Sequence, residues 1–372
     1  MNSEIDTWYK IENSKEIDSP AILIYLDRVK HNIDLAISMI SDVSRLRPHV
    51  KTNKCKEVTL LMMEAGITKF KCATIAEAEM LGISKAKDVL LAYQTVGPKA
   101  NRFISLIKKY PQTKFSCLID NAKSAQDISK KAILNKLAVS VFIDLNVGQN
   151  RTGILPEKAV KLYKACKLLH GINIVGLHAY DGHIYDSDFE VRKQKADEVF
   201  KNVQNVKNQL SREGLANPII VMGGSPNFPI YAKSDKIECS PGTFVYWDKG
   251  YSDSFPDMKF QPAALLLTRI ISQLDNTTFC IDLGHKSVAP ENNITHRVFF
   301  MQENVLKFIS QNEEHLVVEL KTPHSLKVGD VLYGMPVHIC PTVALHERVF
   351  VVNNNRITNE WKTIARDRKI NI

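Results

Sequence analysis

Lys51 stands in the ten-residue stretch LRPHVKTNKC, Leu46 to Cys55, at the end of a short apolar run in a chain otherwise patterned as α/β. An amine at the mouth of a strand is partly desolvated, gives up some of its preference for the charged form, and becomes a usable nucleophile toward a carbonyl. An imine with a carbonyl cofactor needs such an amine, and pyridoxal phosphate is the first cofactor this points to. A lysine following a strand is most often simply solvated, so the reading gains its weight from the residues that accompany Lys51.

Those companions lie at other strand ends. Gly223, Gly224 and Ser225 follow the apolar run IIVM, and Gly242 and Thr243 follow KIEC. Adjacent glycines let backbone N–H groups approach an anion, and the hydroxyls add donors, so the two loops suit a phosphate. A single glycine pair is more often a plain turn. Arg151, in GQNRTG, cannot lose its charge and suits a phenolate or a carboxylate. In LHAYDGH, residues 178 and 180 share one strand face, which directs Tyr180 to the cofactor, while Gly182 permits a turn that aims His183 over the site as a base. His338 and Cys340, two apart in MPVHICPT, read as a strand pair that offers nitrogen and sulfur to one divalent ion, with zinc favoured over manganese or magnesium. A bare pair of this kind is more often a core cysteine beside a buried histidine.

The elements that must position these residues come from periodicity. From about residue 20 to 248, apolar runs of strand length (ILIYL, LRPHV, FKCAT, VLLAY, KFSCLI, VSVFIDL, INIVGLHAY, IIVMGG, IECSPG) alternate with helical patterns, the longest running from FEVRKQK to LSREG. About eight such units fit a closed (β/α)8 TIM barrel better than an open sheet, because no GxGxxG follows the first strand. After residue 248 helical patterns fade and short strands separated by Asn, Asp, Gly and Pro predict an antiparallel β domain over 249–372, joined by residues 1–19.

These motifs, in this order, resemble the D-threonine aldolase and D-serine dehydratase family of alanine-racemase-type, fold type III pyridoxal phosphate enzymes. SPAILIYLDRVKHNI is similar to the family's opening strand and helix, and PHVKTNK to its cofactor lysine motif; GGSP, SPGTFVYWD and HICPTV complete the set. The resemblance implies that Lys51 carries the cofactor, that Gly224, Ser225, Gly242 and Thr243 surround its phosphate, and that Arg151 faces its phenolic oxygen. It also implies that His338 and Cys340 ligate the metal and that His183 lies near the substrate's β-hydroxyl. Related proteins are homodimers with sites between barrel and β domain. Two departures stand out: Asn53 replaces a usual histidine, and Asn146 a usual aspartate.

The activity so implied is cleavage of a D-3-hydroxy amino acid, by retro-aldol reaction to glycine and an aldehyde, with LHAYDGH offering the base. The alternative is a dehydratase route to a keto acid and ammonia, toward which Cys340 pulls. An amino-acid racemase, or a carrier that only holds pyridoxal phosphate, are further readings; the HxC extension argues against the carrier. The net charge of +9 is spread without a basic stripe interleaved with aromatics, which excludes nucleic acid as the expected partner. No apolar stretch reaches the length of a membrane span. Seven cysteines without a CxxC pair, and an opening MNSEIDTWYK unlike a signal peptide, predict a reducing, cytoplasmic compartment.

Overall fold

The computed structural model describes residues 7–302 and 305–372. They divide into two compact units, one of Asp34–Lys51, Cys55–Gly242 and Asp367–Ile372, the other of the described residues up to Ile33 with Thr52–Lys54 and Thr243–Arg366. In chain order the strands begin with β1 (Ala21–Tyr25). The first unit then supplies β2 (Lys69–Cys72), β3 (Asp88–Gln94), β4 (Lys114–Ile119), β5 (Val139–Leu145), β6 (Ile172–Ala179), β7 (Ile219–Met222) and β8 (Glu238–Cys239). The second supplies β9 (Ala264–Gln273), β10 (Thr278–Ile281), β11 (Val298–Phe300), β12 (Val305–Gln311), β13 (Leu316–Leu320), β14 (Val331–Pro336), β15 (Arg348–Asn353) and β16 (Arg356–Lys362).

Strands β2 to β8 form a parallel sheet in sequence order, each pair joined by a helix, as right-handed β-α-β crossovers require. The eighth position is held by the segment Leu46–Val50. On one side Leu46 bridges Cys239 and Arg47 N donates to Cys239 O at 2.8 Å; on the other His49 bridges Lys71, and Lys71 N donates to Pro48 O at 2.8 Å. Pro48 has no N–H to give to a ladder, which explains why this segment makes isolated bridges in place of a regular strand. Side chains reinforce the seam. Arg47, only 1% exposed, donates to Glu238 on β8 and to Asp88 on β3, and Lys69 on β2 pairs with the same Glu238. Glu238 and Asp88 hold the Arg47 guanidinium above its usual range despite the opposing effect of burial. Leu90, Leu118, Phe142 and Val221 pack together from four of the strands.

The second unit is a nine-stranded sheet, ordered β12-β13-β10-β9-β1-β15-β16 with β14 also on β9 and β11 on β14. Its first strand corrects the sequence reading: ILIYL, counted above with the barrel runs, pairs antiparallel with β9 and parallel with β15. A strand central to a sheet and buried at every position looks the same in sequence as a parallel barrel strand. Leu23, Tyr25, Leu265, Leu267, Tyr333 and Met335 form the apolar cluster of this unit. Among the described residues no helix is long and apolar enough to cross a membrane, and no disulfide joins any of the seven cysteines.

Candidate active site

Lys51 follows the barrel-closing segment directly, so the same backbone bonds that seal the barrel fix its position. Val50 N donates to Lys71 O at 2.9 Å, and Lys51 N donates to His49 Nδ1 at 3.2 Å. Lys51 is half-buried and lines a cavity of about 580 Å³ with His49, Lys71, Gln94, Arg151, His178 and Tyr180. The desolvated amine expected at position 51 has a more deeply buried counterpart in Lys71, which is 2% exposed. Burial, then the charge of Lys51, push Lys71 down to about 7. KFKC alternates lysine with apolar residues, a pattern that looks like lysines facing outward from a half-buried strand.

Tyr180 leaves the end of β6 with its ring against Gly182, where a Cβ would lie 2.4 Å from a ring carbon. Gly224 borders the other side of the same ring, at 3.3 Å for a Cβ, so the GGSP loop abuts the cavity wall. Gly223 takes φ +80°, and its Cβ would strike the Tyr231 ring at 2.7 Å, which leaves glycine as the residue for that turn. Asp181, wholly buried, accepts from Asn227 Nδ2 at 2.8 Å and from the Tyr231 hydroxyl at 2.6 Å, tying the β6 loop to the turn after GGSP. Ser225 Oγ accepts from Gly242 N at 3.1 Å, so the two glycine loops are hydrogen-bonded to each other. The Arg151 guanidinium lies 5.3 Å from the Tyr180 ring centroid. Its loop is organised by Asn146, whose Oδ1 accepts from Gly148 N and Asn150 N at 3.2 and 3.1 Å, a role that an aspartate fills equally well. His183 is exposed, its ring against Gly148 on that same loop and outside the cavity lining.

Deeper in the cavity His178, 4% exposed, bonds through Nδ1 to Asp144 Oδ1 at 2.8 Å. Asp144 Oδ2 in turn accepts from Thr152 Oγ1 at 3.0 Å and Gln94 Nε2 at 2.8 Å. Burial alone raises the carboxyl, but His178, Thr152 and Gln94 overcome it and hold Asp144 below the usual carboxylate range. Burial lowers the His178 imidazole. With Nδ1–H given to Asp144, His178 Nε2 has no hydrogen-bond partner among the described residues.

In the β unit, His338 and Cys340 are not on a strand as the spacing predicted. Strand β14 ends at Pro336, His338 caps the helix Ile339–Leu345, and Cys340 falls in its first turn. The signal for this was Pro341, a residue favoured in the first turn of a helix. Asp248, buried and pushed up to about 6 by that burial, accepts from Ile339 N at 3.0 Å and so holds this helix start in place. The two side chains still meet. Burial opposes the charge on His338, but Cys340 and then Glu291 raise its imidazole to about 9, with Glu291 Oε1 at 2.5 Å from Nδ1. Cys340 Sγ is 3.1 Å from the hydroxyl of Thr52, the residue after Lys51 in the chain, and 3.5 Å from that of Thr243. Among the described residues no set of three His, Cys, Asp or Glu side chains surrounds a metal position. An imidazole and a thiol are the donor types that a divalent ion of the zinc type takes.

The cavity fits a planar aromatic aldehyde bearing a phosphate: it presents an amine, a flat ring in Tyr180, an unpartnered buried nitrogen in His178 and cations in Lys51, Lys71 and Arg151. Fold and cavity together define a pyridoxal phosphate-dependent lyase of fold type III. The chain belongs to the alanine racemase, N-terminal domain family, whose profile matches residues 24–249, and residues 263–352 match a serine dehydratase domain. It is 26% identical to a 3-hydroxy-D-aspartate aldolase of Paracoccus denitrificans (strain Pd 1222) over 95% of this chain and 93% of that one. It is also 26% identical to a D-threonine aldolase of Arthrobacter sp, over 94% and 93%. The crystal structure of D-threonine aldolase from Filomicrobium marinum superposes with a TM-score of 0.87 at 23% identity, covering 96% of this chain and 97% of that one.

Proposed function

We propose that this lyase acts on D-configured 3-hydroxy amino acids with the help of a divalent metal, and that it cleaves them by retro-aldol reaction to glycine and an aldehyde. The observation that carries the reading is the cavity amine Lys51, with the His338–Cys340 donor pair of the other unit, whose sulfur lies 3.1 Å from the Thr52 hydroxyl of that same unit, as its support. Pyridoxal phosphate supplies an electron sink for charge that develops at the amino acid's Cα. Lys51 would be the amine that holds the cofactor by its aldehyde carbon. Tyr180 offers its ring face to the pyridine, Arg151 its fixed charge to the phenolic oxygen, and the bonded loops Gly223–Ser225 and Gly242–Thr243 their N–H and hydroxyl groups to the phosphate. His338 and Cys340 would hold the metal, and the chemistry it would supply is Lewis-acid polarisation of an oxygen. The proton of the substrate's β-hydroxyl needs a base, and His183, exposed beside Gly148 outside the cavity lining, serves only if its loop moves inward.

Cys340 supports a second reading, a dehydratase in which Lys51 removes the Cα proton and the β-hydroxyl departs. The two differ in products. Incubation of the loaded protein with D-threonine, D-serine and 3-hydroxy-D-aspartate is expected to release glycine. Keto acid and ammonia without glycine would establish the dehydratase, and no turnover of any of the three would remove both.

A further inference from the structure

We propose that Lys71 is a second ligand-binding lysine of this cavity, whose ammonium meets an anionic oxygen of the bound molecules, either an oxygen anion of the cofactor or the carboxylate of the amino acid. The inference rests on the reading of the cavity as the pyridoxal phosphate site. Lys71 is almost wholly buried yet lines the cavity, and among the described residues its ammonium has no ion-pair or hydrogen-bond partner. A buried lysine is ordinarily paired, and an unpaired one is costly. Even the partly exposed Lys69, two residues earlier on the same strand face, is paired with Glu238.

Lys71 is also firmly placed. Its backbone is bonded on both sides to the segment that carries Lys51, and the Thr74 hydroxyl caps the following helix while Glu77 returns to bond Ala73 N at 2.6 Å. Its nitrogen lies 5.8 Å from the centroid of the Tyr180 ring, the same ring that Arg151 approaches from 5.3 Å. The groups whose charges reach it are Lys51 and Arg47, which disfavour its ammonium, and Asp181 and Asp144, which favour it. Asp144 is committed to His178, Thr152 and Gln94. Asp181 is held through Oδ2 by Asn227 and Tyr231, its Oδ1 makes no hydrogen bond among the described residues, and burial raises its carboxyl, so neither residue is bonded to Lys71. The missing counter-charge is therefore one that arrives with a ligand, and an anion seated there draws the proton onto Lys71.

The test uses the full chain stripped of cofactor, as wild type, Lys71→Met and Lys71→Gln, titrated with pyridoxal phosphate by visible absorbance and then, loaded, with D-serine by spectral change. Loss of a charge-assisted contact is expected to raise one of the two dissociation constants about tenfold or more. A rise in the cofactor constant assigns the oxygen to pyridoxal phosphate, and a rise only in the D-serine constant assigns it to the carboxylate. Folded variants with both constants unchanged overturn the proposal. If neither variant folds, the pH profile of Lys71 labelling by an amine reagent, read by mass spectrometry on wild type, replaces it. The labelling midpoint is expected to rise by about one pH unit or more in the fully liganded protein, and an unmoved midpoint overturns the proposal. Lys51→Ala is run beside these: visible absorbance surviving there contradicts the assignment of Lys51, independently of the result at position 71.

Discussion

His178 Nδ1 and Asp144 Oδ1 are 2.8 Å apart inside the barrel, and this bond decides which face of the imidazole the cavity sees. A carboxylate on Nδ1 fixes the tautomer with the proton there and leaves Nε2 as a bare acceptor. Asp144 holds that state because its other oxygen is occupied by Thr152 and Gln94.

Asp144→Asn is expected to destabilise the cofactor-free protein by about 1–3 kcal/mol at pH 7, the range for losing a charged partner in a buried bond. The sign of the pH dependence follows from the lowered Asp144 carboxyl. Its contribution is complete above the unfolded value of about 3.9 and is lost as pH falls through the lower folded value. Urea unfolding at pH 7 and in acid checks this: the gap between variant and wild type should close in acid, and a gap independent of pH contradicts it.

Lys71→Met is expected to do the opposite to the empty protein. A lysine pushed down to about 7 opposes folding fully below that pH, and the penalty fades as pH rises toward the unfolded value of about 10.4. Replacing it by an apolar side chain of similar length should therefore stabilise the cofactor-free protein at neutral pH by roughly 2–4 kcal/mol. The gain should vanish above about pH 10.5. Thermal melts at pH 7 and 10.5 read both; a destabilised variant at pH 7 contradicts the burial argument.

Arg47→Met removes the cation that joins Glu238 on β8 to Asp88 on β3 across the barrel seam. Leaving those carboxylates behind is expected to cost about 3–5 kcal/mol, far more than a surface pair. Denaturant titration checks it, with the exposed pair Arg348–Glu360 as the control that should cost under about 1 kcal/mol.

Much of this site was readable because strand ends announce themselves. Lys51 and Tyr180 each close a run of apolar residues, Arg151 lies in the loop beyond one, and all three line one cavity. What was not readable depended on neighbours far along the chain. Lys71 is marked by its failure to find a partner, a property that no sequence window contains. Ala21–Tyr25 is buried along its whole length, so its periodicity does not say which sheet claims it. The eighth barrel position was predicted as a strand; Pro48 makes it a bridged segment without changing where Lys51 emerges. His338 and Cys340 were found by spacing, but their backbone is a helix start, where residues two apart converge through the cap geometry and not through strand alternation.

Borohydride reduction of the pyridoxal phosphate-loaded protein, followed by peptide mass mapping, tests the central claim most directly, because two cavity lysines compete for the aldehyde. The pyridoxyl adduct is predicted on the peptide containing Lys51 and absent from the one containing Lys71. An adduct on Lys71 with Lys51 unmodified, or no adduct on either, would contradict the account.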